Sequence, residues 1–211
     1  QYNQNGAPPI RDPPDPRPLT ASELAGLKDA GCQILDIRGP SGFASGHVPG
    51  SISIWRRGIS SFAGWFLSYD RPIVIVDDFN QSPGEVITEL FRMGYDRISG
   101  ILDGGIAAWY KSAREIGTCM TCSVQDLKTQ TETGMPFILD VRDIRNRRTV
   151  GHIRNSHHIY VGELPGRIGE VPKDQPIFVC CDAGYKSSIA ASILAQNHYR
   201  RVTNVLGGMK A

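Results

Sequence analysis

The sequence predicts two small α/β domains in tandem, each with a mostly parallel central sheet flanked by helices. Three observations carry that reading. Short apolar runs, Ile73-Val74-Ile75-Val76 and Ile177-Phe178-Val179, have the length of buried strands. Segments with helical spacing, such as Val86, Leu90 and Met93, or Ile189 to Ala195, alternate with them. The whole series also comes twice: Asp36-Ile37-Arg38 returns as Asp140-Val141-Arg142, 104 residues later, and the strand opened by Pro72 returns at Pro176 with the same offset. Gly46-His47-Val48 is repeated as Gly151-His152-Ile153, and Gly104-Gly105 as Gly207-Gly208. Such a period is too long for a solenoid, whose units run to roughly 50 residues, and fits a duplicated domain.

Taken in order, residues 1–18 are proline-rich with no periodic face and read as an extended linker. Residues 19–115 form the first domain. Thr20-Ala21-Ser22-Glu23 has the pattern of a capping box opening a short helix through Leu24 and Leu27. A strand follows at Cys32 to Arg38, then a loop at Gly46 to Pro49 entering a second short strand. Trp55 to Leu67 is aromatic-rich without a clean period and suits a helix and loop over one sheet face. After the strand at Pro72 to Val76 come a helix ending near Gly94, a strand at Arg97 to Leu102, and a closing helix from Ile106. Residues 116–122 read as a linker and residues 123–211 as the second domain.

The formal charge of +2, with 21% charged and 40% hydrophobic residues, makes no electrostatic case for nucleic acid. No apolar run approaches the ~20 residues of a membrane helix, and no secretory signal is visible. The five cysteines do not form the even framework of a small secreted domain, so a reducing cytoplasm is the expected compartment. Cys119 and Cys122 have the spacing of half a zinc site, but the histidines do not supply the other half, so no metal is expected in this fragment. The chain starts at Gln1 and stops at Ala211, where a helix is expected to begin, so it is expected to be cut from something longer, with the second domain truncated.

The stretch that carries chemistry is Cys181-Asp182-Ala183-Gly184-Tyr185-Lys186-Ser187-Ser188. A cysteine at the end of a buried strand, a tight glycine-containing loop and a helix start place a sulfur over free backbone N–H groups. Those groups favour thiolate at Cys181 and would hold the anionic atoms it acquires, with Lys186 adding a positive charge. A lone strand-end cysteine is more often inert core. The glycine, the lysine and the paired serines tip the balance toward reactivity here. Cys180 points to the opposite face by strand alternation and reads as core.

With five residues between a cysteine and a phosphate-gripping arginine, a cysteine phosphatase or an arsenate reductase would need arginine where this chain has Ser187. The six-residue loop from Cys181 to Lys186 instead resembles the active loop of rhodanese sulfurtransferases. The Asp-x-Arg strand ends, the Gly-His loops and the late Gly-Gly pairs extend that resemblance over both domains. It implies a persulfide on Cys181, a cradle from Asp182, Ala183, Gly184, Tyr185, Lys186 and Ser187, and small sulfur-containing anions and thiols as partners. Lys186 stands where the family most often has arginine, so attraction of an anion is kept without a bidentate grip. Asp36, Arg38, Asp140 and Arg142 read as ties between strand ends and loops, and His47 and His152 as hydrogen-bonded packing residues.

At the repeat offset Asp77 takes the place of Cys181, Asp78 that of Asp182 and Ser82 that of Lys186. An aspartate cannot carry sulfane sulfur and repels anions, so the first domain is expected to be silent in sulfur transfer. Its proline-rich lead-in and the Phe62 to Leu67 stretch resemble the region after the hydrolase-fold domain in metallo-β-lactamase/rhodanese fusions similar to persulfide dioxygenases. That resemblance implies an upstream metallo-hydrolase domain, whose iron ligands would lie outside this sequence. The rival readings are a docking module without catalysis and a redox protein using Cys180 and Cys181, the latter disfavoured because adjacent cysteines bridge only with strain. Oligomeric state has no signal in the sequence.

Overall fold

The computed structural model describes residues 12–78 and 83–210. Residues 1–11 of the lead-in and Ser82, read as the counterpart of Lys186, lie outside them. Two five-stranded sheets are present, and every strand pair in both is parallel. The first contains β1 (Pro18–Leu19), β2 (Gln33–Asp36), β3 (Ile52–Ser53), β4 (Ile73–Val76) and β5 (Ile98–Leu102), in the order β1-β5-β4-β2-β3. The second contains β6 (Met120–Cys122), β7 (Phe137–Asp140), β8 (His157–His158), β9 (Ile177–Cys180) and β10 (Val202–Val205), in the order β6-β10-β9-β7-β8. The two orders correspond strand for strand, with Asp77 and Cys181 following the central strands β4 and β9. Full burial of β4 is what a parallel sheet covered on both faces requires.

The capping box at Thr20 opens α1 (Ala21–Asp29): Glu23 N–H donates to Thr20 Oγ1, and Thr20 N–H donates to Glu23 Oε2 at 2.8 Å. Trp55 to Leu67 resolves into a 3-10 turn at Arg56–Gly58 and α3 (Ile59–Phe66), after α2 (Pro40–Ser45). In α3 Ile59, Phe62 and Ala63 face the core, whereas Trp65 is 54% exposed. The remaining helices of the first domain are α4 (Gly84–Arg92) and α5 (Ile106–Lys111). The second has α6 (Val124–Thr133), α7 (Ile144–Val150), α8 (Leu164–Arg167) and α9 (Tyr185–Gln196).

Both linker expectations need correction. Pro18 and Leu19 pair with Ile101 and Leu102, and Leu19 is fully buried, so the end of the lead-in is an edge strand. Proline is tolerated at such an edge because one side of the strand has no ladder bond to donate. Met120–Cys122, inside the expected 116–122 linker, pairs with Thr203 to Val205 as the opposite sheet's edge. Both strands are too short to show a period of two, which is why they escape sequence reading.

Helix α9 joins the two domains. Eight of its twelve residues are buried, from Ser187 to Leu194, so the helix is covered on every side, with its three buried serines hydrogen-bonded. Its own sheet covers one side and β3 of the first domain the other. There Ser53 N–H donates to Ser192 Oγ at 3.1 Å, and the Ser53 and Ser188 hydroxyls lie 2.9 Å apart. Ile189, Ile193 and Leu194 share one core with Ile52, Ile54 and Phe62. Burying each large aliphatic side chain stabilises by about 1.5–3 kcal/mol.

Candidate active site

In open parallel sheets ligands settle beyond the carboxyl ends of the strands, where the strand order reverses. In the second domain that place lies between β7 and β9. Cys181 follows β9, and Gly184, at φ 94°, turns the chain in the left-handed region and caps α9. The turn brings Gly184 N–H to within 3.1 Å of Cys181 Sγ, to which it donates. Tyr185, Lys186 and Ser187 supply the first-turn N–H groups of α9, which have no acceptor four residues back inside the helix. Ser187, fully buried, places Oγ 3.3 Å from Sγ. Cys181 itself is only 1% exposed, and Ala183 is exposed.

The back of the loop is held by Gly208. It sits at φ 58°, and a Cβ there would overlap the Cys181 carbonyl oxygen. This close approach lets Met209 N–H donate to Cys181 O at 2.9 Å and Lys210 N–H to Asp182 O at 3.1 Å. The first domain repeats the arrangement, with Gly105 against Asp77 and Ile106 N–H donating to Asp77 O at 2.8 Å. The late Gly-Gly of each repeat is therefore a clamp on the loop after the central strand.

Lys186 differs from its expectation. Its Nζ lies 3.1 Å from Asp182 Oδ2 and 3.6 Å from Asp143 Oδ2. Burial pulls its pKa down, and the two carboxylates pull it up by more, so the net shift is upward and the ammonium stays charged. Asp182 is tied to Lys186 and accepts from Asn146 Nδ2 at 3.3 and 3.4 Å. Tyr185 is 41% exposed, and its ring meets Trp55 of the first domain at 4.8 Å between centroids. The mouth of the loop is thus lined from both domains.

The Asp-x-Arg pairs are alike in both halves. Arg38 Nη2 donates to Asp36 Oδ2 at 2.7 Å and to Gly46 O at 2.7 Å; Arg142 Nη2 donates to Asp140 Oδ2 at 2.7 Å and to Gly151 O at 2.8 Å. Each guanidinium ties the end of β2 or β7 to the following Gly-His loop. The histidines are not alike. His47 is buried, stacks on Phe43 at 3.9 Å, faces the Phe43 carbonyl at 2.9 Å and is covered by Gly117. His152 is exposed, so the packing expected of it is not realised. The place of Phe43, four residues earlier, is taken there by exposed Arg148, which offers no ring to stack on.

Asp77 is buried and ion-paired with Arg56, whose counterpart in the second domain is Val161. A carboxylate so placed needs a cation, and the first domain supplies one. Burial raises the Asp77 pKa, against the Asp78 backbone bond and the Arg56 charge. Cys180 packs with Leu127, Ile138 and Val205, away from the cluster that holds Cys181, and burial with the nearby Asp140 charge pushes its thiol up to about 12. Cys119 contacts the Cys181 cluster while Cys122 packs with the Cys180 cluster, so the two flank opposite sheet faces. Burial pushes Cys119 up to about 11. All five cysteines are free.

Asn204 has no role in the sequence reading. It is buried on β10, accepts from Ser187 Oγ at 2.6 Å and donates to Gly184 O at 3.2 Å. Its signal was available: a polar residue in a buried strand, Val-Thr-Asn-Val, needs a partner. Asp143, Asn146, Trp55 and Arg56 carried no comparable signal, because their roles depend on which loops meet. Among the described residues no group of three His, Cys, Asp or Glu side chains could hold a metal ion, so these residues do not fit an iron site. No described helix is long and apolar enough to cross a membrane.

A strand-end cysteine below the first turn of a glycine-capped helix, in the second of two repeated parallel α/β domains, defines the class. The rhodanese-like domain family matches residues 20–112 and 123–211, and the chain belongs to that family. It is similar to thiosulfate sulfurtransferase GlpE of Shewanella oneidensis, 30% identical over 95 residues that cover 44% of this chain and 92% of that protein. Among solved structures, reduced Bacillus anthracis CoADR-RHD is 33% identical over 44% of this chain and 16% of that one, with a TM-score of 0.41. The 3-mercaptopyruvate sulfurtransferase SseA of Escherichia coli matches 92% of this chain and 98% of its own, at 18% identity and a TM-score of 0.43.

Proposed function

We propose that the chain is a sulfurtransferase that carries sulfane sulfur on Cys181 and leaves the first domain silent. The observation that carries this reading is the Gly184 N–H donating to Sγ at 3.1 Å beneath the start of α9. In the first half-reaction the Cys181 thiolate attacks the outer sulfur of thiosulfate or of a low-molecular-weight persulfide. The Cys181–S bond forms, the donor's S–S bond breaks, and sulfite or the donor thiolate leaves with the electron pair. In the second, a thiolate, sulfite or cyanide attacks that outer sulfur, and the pair returns to Cys181. The first-turn N–H groups of α9 stabilise the terminal sulfur while it is bound.

The similarity to a thiosulfate sulfurtransferase supports the donor class, and the buried Asp77–Arg56 pair supports a first domain without sulfur chemistry. A reducing cytoplasm would keep the five thiols free. The likeness of the first domain to metallo-β-lactamase fusions supports an upstream metallo-hydrolase partner domain. The test is turnover: thiosulfate and cyanide should give thiocyanate with the protein and none with Cys181→Ser. Equal turnover by that variant would refute the reading.

A further inference from the structure

The charges around the loop do not form a cationic pocket. Asp140, Arg142, Asp143, Arg147, Asp182 and Lys186 cluster at the ends of β7 and β9, three acids with three bases. Arg142 and Arg147 both face Asp140, the latter at 3.6 Å, and Arg147 Nη2 also reaches Ser156 O. Lys186 faces two carboxylates, Asp182 at 3.1 Å and Asp143 at 3.6 Å. The base nearest the helix start is therefore outnumbered by acids within ion-pair distance. From the first domain Arg56 is held by Asp77.

We propose that Asp143 is a specificity-determining residue which, with Asp182, neutralises Lys186 and turns the site from dianionic thiosulfate toward sulfane donors of lower charge. This rests on Cys181 being the sulfur carrier. Electrostatic energy scales with donor charge, so each unneeded carboxylate penalises a dianion twice as much as a monoanion. Asp143 is suited to the task because its two oxygens have separate jobs. Oδ1 caps α7 by accepting from Asn146 N–H at 2.9 Å, while Oδ2 faces Lys186. Asparagine caps a helix as well as aspartate does, so Asp143→Asn removes the charge and keeps the cap.

The experiment compares thiosulfate, a dianion, with benzenethiosulfonate, a monoanion that gives up the same sulfur. In wild type and in Asp143→Asn, kcat/KM is measured for each donor against cyanide over a range of salt. At low salt the variant should gain about threefold with the monoanion and about tenfold, the square of that, with thiosulfate. Thiosulfate use should be nearly independent of salt in wild type and should fall with salt in the variant. Asp182→Asn should shift the donor ratio the same way, which covers the case in which the first variant folds poorly. Equal changes for both donors, or a steep fall of wild-type thiosulfate use with salt, would overturn this inference while leaving Cys181 as carrier. Transfer from neither donor would overturn both.

Discussion

Ser187 gives its proton to Asn204: the hydroxyl lies 2.6 Å from Asn204 Oδ1, whose orientation is fixed because Asn204 Nδ2 donates to the Gly184 carbonyl. Ser187 therefore presents a lone pair to Cys181 Sγ at 3.3 Å, and the thiol, not the serine, is the donor across that gap. Asn204→Ala frees the hydroxyl to donate to the thiolate. Ser187→Ala removes the acceptor that holds the thiol proton, so alkylation of Cys181 at neutral pH should be faster than in wild type in both Asn204→Ala and Ser187→Ala. Slower alkylation in Asn204→Ala would contradict this account of the proton.

Arg142 is fully buried and bonded through Nε and Nη2 to Asp140. Arg142→Met strands the carboxylate in the interior, which should cost about 3–5 kcal/mol in denaturant unfolding. Replacing Asp140 by leucine in the same protein should recover much of that loss. Additive losses would show that the two side chains act independently.

Gly208 touches the active loop through its backbone, so Gly208→Ala should displace Cys181 as well as strain the turn. Sulfur transfer should fall at least about tenfold, the equivalent of roughly 1.4 kcal/mol in the barrier. Gly105→Ala makes the matching clash against Asp77 and should lower stability with a much smaller effect on transfer. Equal effects on transfer would deny the loop its special place.

Glu23 and Glu170 are both held at a pKa of about 2. Glu23 is lowered by the Thr20 N–H and Arg17, and Glu170 by Arg167 and His157. A carboxyl depressed on folding stabilises the protein above its ordinary value and loses that contribution as pH falls toward the folded one. Stability should therefore decline between about pH 5 and pH 2, and Glu170→Gln should flatten part of that decline. An unchanged acid limb in Glu170→Gln would show that the His157–Glu170–Arg167 cluster does not survive in solution.

The duplication was legible because buried parallel strands are continuous apolar runs, and Ile73 to Val76 and Ile177 to Val179 stand at one offset. Cys181 was legible from the glycine and the helix start that follow it. Lys186 was not, since its ion pair with Asp143 joins the end of β7 to the start of α9 and depends on sheet order. Similar motifs misled at His152, where the repeat keeps the Gly-His pair but replaces the ring that His47 stacks on. Trp55 reaches Tyr185 only because α9 packs on the first domain, a contact that no local pattern records.

The most direct measurement is the mass of the intact protein after incubation with thiosulfate or glutathione persulfide, followed by peptide mapping under non-reducing conditions. One added sulfur, about 32 Da, should appear and map to Cys181. It should persist in Cys180→Ser, whose site faces the other side of β9, and vanish in Cys181→Ser. An adduct retained in Cys181→Ser, or mapped to Cys119 or Cys122, would contradict the account.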